Sequence, residues 1–264
     1  TFRFLLGEIE DQFDPETDGV PFADLLPLDK LMLARLTLVQ ADVDEAFASY
    51  EFNRVYRTLY DFVVTELSNV YLDALKDRLY CDPVGSLSRR SAQTVLSELL
   101  SMLLRDLQPI LAFTCDEVME FAPAGCRDHV EHAALLSWYR APISVEEAEA
   151  YRPVLEAALD LRGVVTKALE EARAAGTFTK SQATRVVATV PEEAYGLLTG
   201  PYACDLAEFF IVSEVELACG EELSATVEAA RGECCDRCWN YRASTGAHGG
   251  HAHVCDRCAA ALGA

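Results

Sequence analysis

The chain has 264 residues, about half of them hydrophobic and a quarter charged, enough for one large core or two smaller ones. Its formal net charge of −21 argues against a generic nucleic-acid binder, because an acidic body repels phosphate, and no DNA partner is expected. No run approaches the ~18 apolar residues that cross a bilayer, and Thr1 to Leu6 lacks the basic start of a secretory signal, so no membrane partner is expected.

The charge is uneven. Residues 51–106 and 231–264 are nearly neutral and hold clusters of arginine, whereas 1–50 and 146–230 are strongly acidic. Any RNA contact should therefore be local. Five of the ten cysteines crowd into residues 234–258, and Cys81, Cys115, Cys126, Cys204 and Cys219 are scattered singly. That usage predicts a reduced, cytoplasmic protein with one metal site.

Residues 1–12 read as the tail of an amphipathic helix, and the chain starts there without Met; it is expected to be a fragment of something longer. Asp14 to Gly19 is an acidic, turn-rich connector. After Pro27, apolar residues at Leu28, Leu31, Met32, Val39, Val43 and Phe47 have helical spacing. A second helix is predicted from Glu51 to Leu79, broken by Asp82-Pro83-Val84-Gly85-Ser86. A third runs from about Ser88 to Leu107, and Pro109 separates it from a shorter apolar helix through Phe121. Long amphipathic helices joined by short connections make an antiparallel bundle.

From about Ala150 the character changes. Pro153 suits a first helical turn, and this helix runs to Arg173, with Gly176 where a capping glycine belongs. Strands are predicted at 184–190 and 209–217, with a possible third at 224–229 and a helical spacer over 192–207. The expected fold is mainly α: an antiparallel helical bundle over 1–145, a small α+β junction unit over 146–230, and a four-cysteine zinc knuckle over 231–264.

Cys235-x2-Cys238 and Cys255-x2-Cys258, sixteen residues apart, point two pairs of thiolates at one spot. A four-sulfur cage of this spacing suits one structural Zn²⁺. Cys234 adjoins the first pair, but Cys-Asp-Arg-Cys occurs twice, which favours Cys235. The alternative is a pair of disulfides or a redox dithiol. His248, His251 and His253 lie between the pairs and are unnecessary as ligands. Trp239-Asn240-Tyr241-Arg242 follows the first pair, and Arg237 and Arg257 occupy matching places inside the knuckles. An indole and a phenol among guanidinium groups can stack unpaired bases and touch phosphates; equally, Trp239 can be the knuckle's own small core.

In the bundle, Arg54 and Arg57 share a helix face with Asp61. Lys76 and Arg78 end the second helix, where they offset its dipole. Arg89 and Arg90 open the third helix and gain nothing from its dipole, which tilts them toward an external anion. His129 and His132 have no metal-site partner in the sequence. Phosphate loops, dinucleotide fingerprints, nucleophile elbows and zinc-protease motifs are missing, and Thr179-Lys180-Ser181 lacks the rest of a nucleotide-binding motif. The residues describe a binding module with a structural metal, not an active site.

Phe2-Arg3-Phe4-Leu5-Leu6-Gly7, Glu51-Phe52-Asn53-Arg54-Val55-Tyr56 and Tyr71-Leu72-Asp73-Ala74-Leu75-Lys76-Asp77-Arg78-Leu79-Tyr80 resemble the C-terminal part of bacterial isoleucyl-tRNA synthetases. So do Arg89 to Leu96, Pro109 to Thr114 with Asp116-Glu117, and Lys167 to Arg173, in collinear order up to the cysteine knuckles. The resemblance implies an anticodon-binding helical bundle and a zinc-bearing tail, with isoleucine tRNA as partner through its anticodon stem-loop. It implies Cys235, Cys238, Cys255 and Cys258 as metal ligands and Trp239 near the RNA, with the basic residues named above positioning phosphates. The ATP-using catalytic fold and the editing domain would lie upstream, as partners in the same chain, so this part alone would not activate isoleucine. The linker Thr177 to Gln182 and the His/Gly-rich zinc loop depart from the family pattern. The competing expectation, which the acidic composition favours, is a zinc-stabilised protein-interaction module that binds no RNA.

Overall fold

A computed structural model describes residues 1–9, 13–247 and 252–263. His248 and His251 therefore lie outside the described residues. Two compact units emerge, Thr1–Asn69 with Val84–Tyr151, and Val70–Pro83 with Arg152–Ala264.

The first unit is helical. It holds α1 (Phe2–Ile9), α2 (Pro27–Ala48) and α3 (Phe52–Asp61), after which the helix continues as a π-helical stretch, Phe62–Tyr71. That stretch passes into α4 (Leu72–Cys81), which belongs to the second unit. The long helix expected over 51–79 is thus present, with a change of pitch inside it. The chain returns to the first unit with α5 (Leu87–Leu107), α6 (Ala112–Met119) and the short α7 (Val145–Glu149).

Local chemistry accounts for these boundaries. Pro27 opens α2, where its missing N–H goes unused. Ser86 caps α5 by accepting from the Arg89 backbone N–H. Buried residues in α2 cover almost every face, including Leu31 to Ala34 and Leu36 to Gln40, so it is the central helix, against which α3, α5 and α7 pack. The α5 stripe of Val95, Leu96, Leu99, Leu100 and Leu103 is buried, each side chain contributing about 1.5–3 kcal/mol. Arg105 secures the long loop after α6: it donates to the Cys126 and Ser137 carbonyls and pairs with Asp128 at 2.6 Å.

The second unit is α+β. After α8 (Arg152–Ala174) come β1 (Thr184–Val190), α9 (Glu192–Leu198), α10 (Leu206–Phe210), β2 (Glu214–Cys219) and β3 (Ser224–Ala229). The sheet order is β2-β1-β3, with β1 parallel to β2 and antiparallel to β3. Central β1 alternates strictly: Thr184, Val186, Ala188 and Val190 are buried, and α8 packs on β1 and β3. On the outward face Arg185 forms ion pairs with Glu214, Glu216 and Glu228 from both neighbouring strands. The β4 (Glu233–Cys234) and β5 (Tyr241–Arg242) strands form a separate hairpin, and α11 (Asp256–Ala261) follows it.

Two expectations need correction here. Residues 209–217 are not one strand: Phe209 and Phe210 end α10, Ile211 turns the backbone at φ 60°, and β2 starts at Glu214. The spacer 192–207 is helical only over Glu192–Leu198 and again from Leu206. His129 and His132 face Glu16 at 3.0 Å and Asp116 at 3.4 Å, each beside a single carboxylate.

Candidate metal centre and nucleic-acid interface

The β4–β5 hairpin carries Cys235 and Cys238 on its connecting turn, where the Trp239 N–H donates to the Cys235 carbonyl at 2.8 Å. Cys255 caps α11, and Cys258 follows one turn later. Gly232 admits the chain to the hairpin at φ 84°, where a Cβ would lie 2.4 Å from the Arg242 carbonyl carbon, so only glycine fits. The four Sγ atoms lie within 4.8 Å of one another, and no member of the set is more than 8% exposed.

This donor set fits Zn²⁺. The Cys238 and Cys255 sulfurs are 3.9 Å apart. A disulfide would bring them to ~2.05 Å, whereas a tetrahedron with ~2.3 Å metal–sulfur bonds has edges of about 3.8 Å. All ten cysteines are unpaired, so the disulfide alternative is not realised. Burial opposes ionisation of Cys235, but backbone N–H groups of Cys238, Cys255 and Arg237 pull its thiol down to about 6. Burial holds Cys238 and Cys255 above the usual thiol range.

The knuckles are docked on α4 within the same unit. Arg257 donates both terminal nitrogens to Asp77 at 2.8 and 2.6 Å, with Asp82 3.6 Å from its Nε. Asn240 donates to Asp77 at 3.4 Å, and the Arg237 guanidinium donates to the carbonyls of Cys81 and Tyr80. Cys81 itself packs against the four-cysteine cluster. Asp77 and Cys81 lie more than 150 residues from their partners in the chain, and nothing in their spacing signals the contact.

What remains outward is Trp239, 56% exposed at φ 63°, with half-buried Tyr241 and exposed Arg242 beside it. The Lys180 ammonium sits 4.8 Å from the centre of the indole ring, a cation–π contact. Lys180 stood out in the sequence only as part of an incomplete motif. Trp239 is therefore not sealed into the knuckle as its core.

The other basic candidates divide sharply. In the second unit Arg78 is buried and paired with Glu208 at 2.7 Å, and Lys76 pairs with Asp73 at 2.7 Å. In the first unit Arg54 is shared among Glu45 at 2.7 Å, Glu51 at 3.2 Å and Asp42 at 3.9 Å. Arg90 pairs with Asp18 at 3.3 Å and lies over the Phe13 ring. Arg89 is half-buried, with its Nε unbonded. Arg57 is exposed and, among the described residues, makes no side-chain hydrogen bond or ion pair.

Residues 29–188, more than half of the chain, match the family described as the anticodon-binding domain of tRNA ligase. The chain belongs to that family. Residues 232–261, which contain both knuckles, match the family described as a zinc finger found in FPG and IleRS. The match and the four-cysteine cluster together support a structural zinc.

Among curated relatives, the isoleucine–tRNA ligase of Thermotoga maritima is 40% identical over 270 residues, covering 99% of this chain and 29% of the relative. Those of Syntrophotalea carbinolica and Geobacillus kaustophilus are each 38% identical, covering 99% and 98% of the chain and again 29% of the relative. The chain thus spans less than a third of the length of the relatives it matches. Family and relatives support a role in anticodon recognition. Among the described residues, no helix is long and apolar enough to cross a membrane.

Proposed function

We propose that this chain is the part of a cytoplasmic isoleucine–tRNA ligase that holds the anticodon stem-loop of isoleucine tRNA. The observation that carries the reading is Trp239, an exposed indole that directly follows a cysteine ligand candidate. Anticodon loops offer splayed, unpaired bases, and stacking on an aromatic side chain is worth about 1–3 kcal/mol per base. Zn²⁺ held by Cys235, Cys238, Cys255 and Cys258 would supply a rigid cross-link to a tail too small for a core of its own.

In this reading Trp239 stacks a base and Tyr241 and Arg242 contact its neighbours, while Lys180 neutralises phosphate nearby. Arg57 and Arg89 contribute phosphate contacts from the first unit. Arg54, Arg78, Arg90, Arg237, Arg257 and Lys76 hold the surface in shape through their carboxylate and carbonyl partners. Functionally the chain divides into a bundle over 1–145, a junction over 146–230 and a zinc tail over 231–264. Joining of isoleucine to tRNA with ATP, and editing, belong to the upstream domains of the longer ligase.

The net charge of −21 favours a second reading, a zinc-stabilised protein-interaction module. Fluorescence anisotropy separates the two. The zinc-loaded chain should bind an isoleucine tRNA anticodon stem-loop in preference to one with a scrambled loop, and more weakly as salt rises. No binding to either loop supports the protein-interaction module instead, and equal affinity for both would show RNA binding without anticodon recognition.

A further inference from the structure

We propose that the groove at the turn between α2 and α3 is a second base-binding subsite, in which Tyr50 stacks an unpaired RNA base and Arg57 holds its phosphate. The proposal rests on the anticodon-binding reading and adds a contact surface to it.

The starting point is backbone conformation. α2 ends in a Schellman turn: the Glu51 N–H donates to the Ala46 carbonyl at 2.8 Å and the Tyr50 N–H to the Phe47 carbonyl at 3.1 Å. Tyr50 occupies the left-handed position of that turn at φ 60°, where glycine is ordinarily found because a Cβ is penalised. The same chain follows that rule at the end of α8, where Gly176 takes the equivalent place at φ 73°. Ile211 breaks it after α10, but Ile211 is half-buried and its packing offsets the penalty. Tyr50 is 80% exposed, so burial offers no such compensation. A strained, solvent-facing aromatic points to a ligand.

Its surroundings suit a nucleotide. The Tyr50 ring meets Phe52 edge-on at 6.3 Å, Phe52 meets Phe47 at 6.2 Å, and Phe47 meets Trp138 at 5.1 Å. The Trp138 indole N–H donates to Asp44 at 2.7 Å, which fixes the far end of this row of rings. Beside Tyr50 opens a groove of about 700 Å³, within the ~300–1,000 Å³ range of small-ligand sites.

Along the groove, the single Arg54 guanidinium is shared among Asp42, Glu45 and Glu51 and so has no charge left for a ligand. Arg57 is left to meet a phosphate. Asn53 and Asp61 supply an amide and a carboxylate that can pair with base edges, the latter accepting from an exocyclic amine.

The test uses the zinc-loaded chain and the isoleucine tRNA anticodon stem-loop, with Trp239→Ala as reference. Tyr50→Gly should bind roughly five- to a hundredfold more weakly, while its unfolding temperature stays equal or rises because the strained backbone is relieved. Tyr50→Phe should bind like the unsubstituted chain, and Arg57→Ala should reduce the salt slope by about 0.7. If Trp239→Ala loses affinity but Tyr50→Gly keeps it, the subsite is wrong and the anticodon reading stands. If the unsubstituted chain does not bind the stem-loop, the reading fails and the subsite with it. Sedimentation covers the remaining occupant: loss of a dimer in Tyr50→Gly with RNA affinity unchanged would make this a self-association face and overturn the proposal.

Discussion

Asp106 shows how a single side chain in the first unit couples stability to pH. Its carboxyl is fully buried; Gln40 donates to Oδ1 at 3.3 Å, and Oδ2 has no hydrogen-bond partner among the described residues. Burial pushes the group up to about 7, with Asp44 adding to the shift and the Gln40 hydrogen bond and Arg105 opposing it. The unfolded chain titrates near ~3.9, so between the two values the folded state binds the extra proton. Its contribution is full below about pH 4 and is lost as pH rises through about 7, at most about 4 kcal/mol. Asp106→Asn should therefore raise the unfolding temperature at pH 8 and leave it unchanged at pH 4. Thermal unfolding of both proteins across that range checks this; parallel curves would show that Asp106 titrates normally.

Individual roles were less visible in the sequence than the metal site. The doubled Cys-Asp-Arg-Cys marked all four clustered thiols, because ligand spacing is a local property. The arginines looked alike in sequence, yet Arg78 and Arg57 differ completely in burial and pairing. Carboxylate partners such as Glu208 and Asp77 are brought to them by the fold and leave no local trace.

At the scale of elements, helical periodicity located α2, the helix running from α3 to α4, α5 and α8, because long amphipathic stripes carry many matching positions. It failed over residues 209–217, where Phe-Phe-Ile-Val is apolar enough for either state. The Asp205 cap and the left-handed turn at Ile211 decide in favour of a short helix followed by a strand. The change to π-helical pitch over Phe62–Tyr71 has no signature in the apolar spacing.

The element with the clearest testable dependence is the zinc tail on α4. Asp77 accepts two charge-assisted hydrogen bonds from Arg257, each partner about 30% exposed, an arrangement worth about 1.5–3 kcal/mol. Asp77→Ala should speed limited proteolysis within 231–264 roughly ten- to a hundredfold, while helical content measured by circular dichroism stays unchanged. An unaltered cleavage rate would mean that Arg237 and its carbonyl partners suffice to dock the tail.

For the whole molecule, the proposed RNA role has to be reconciled with a net charge of −21. Arg54, Arg78, Arg90, Arg105, Arg185 and Arg257 are paired with carboxylates inside the fold, so on the proposed reading phosphate is held only near open cations such as Arg57 and exposed aromatics such as Trp239. Orientation then comes from geometry, and a surface as small as the knuckle keeps its geometry only if its thiolates are clamped. The most direct measurement is zinc content together with stem-loop affinity, before and after chelation. One zinc per chain is expected, with affinity falling at least tenfold when the metal is removed and recovering when it is returned. A chain that purifies without zinc, or binds the stem-loop equally well after chelation, would contradict the account.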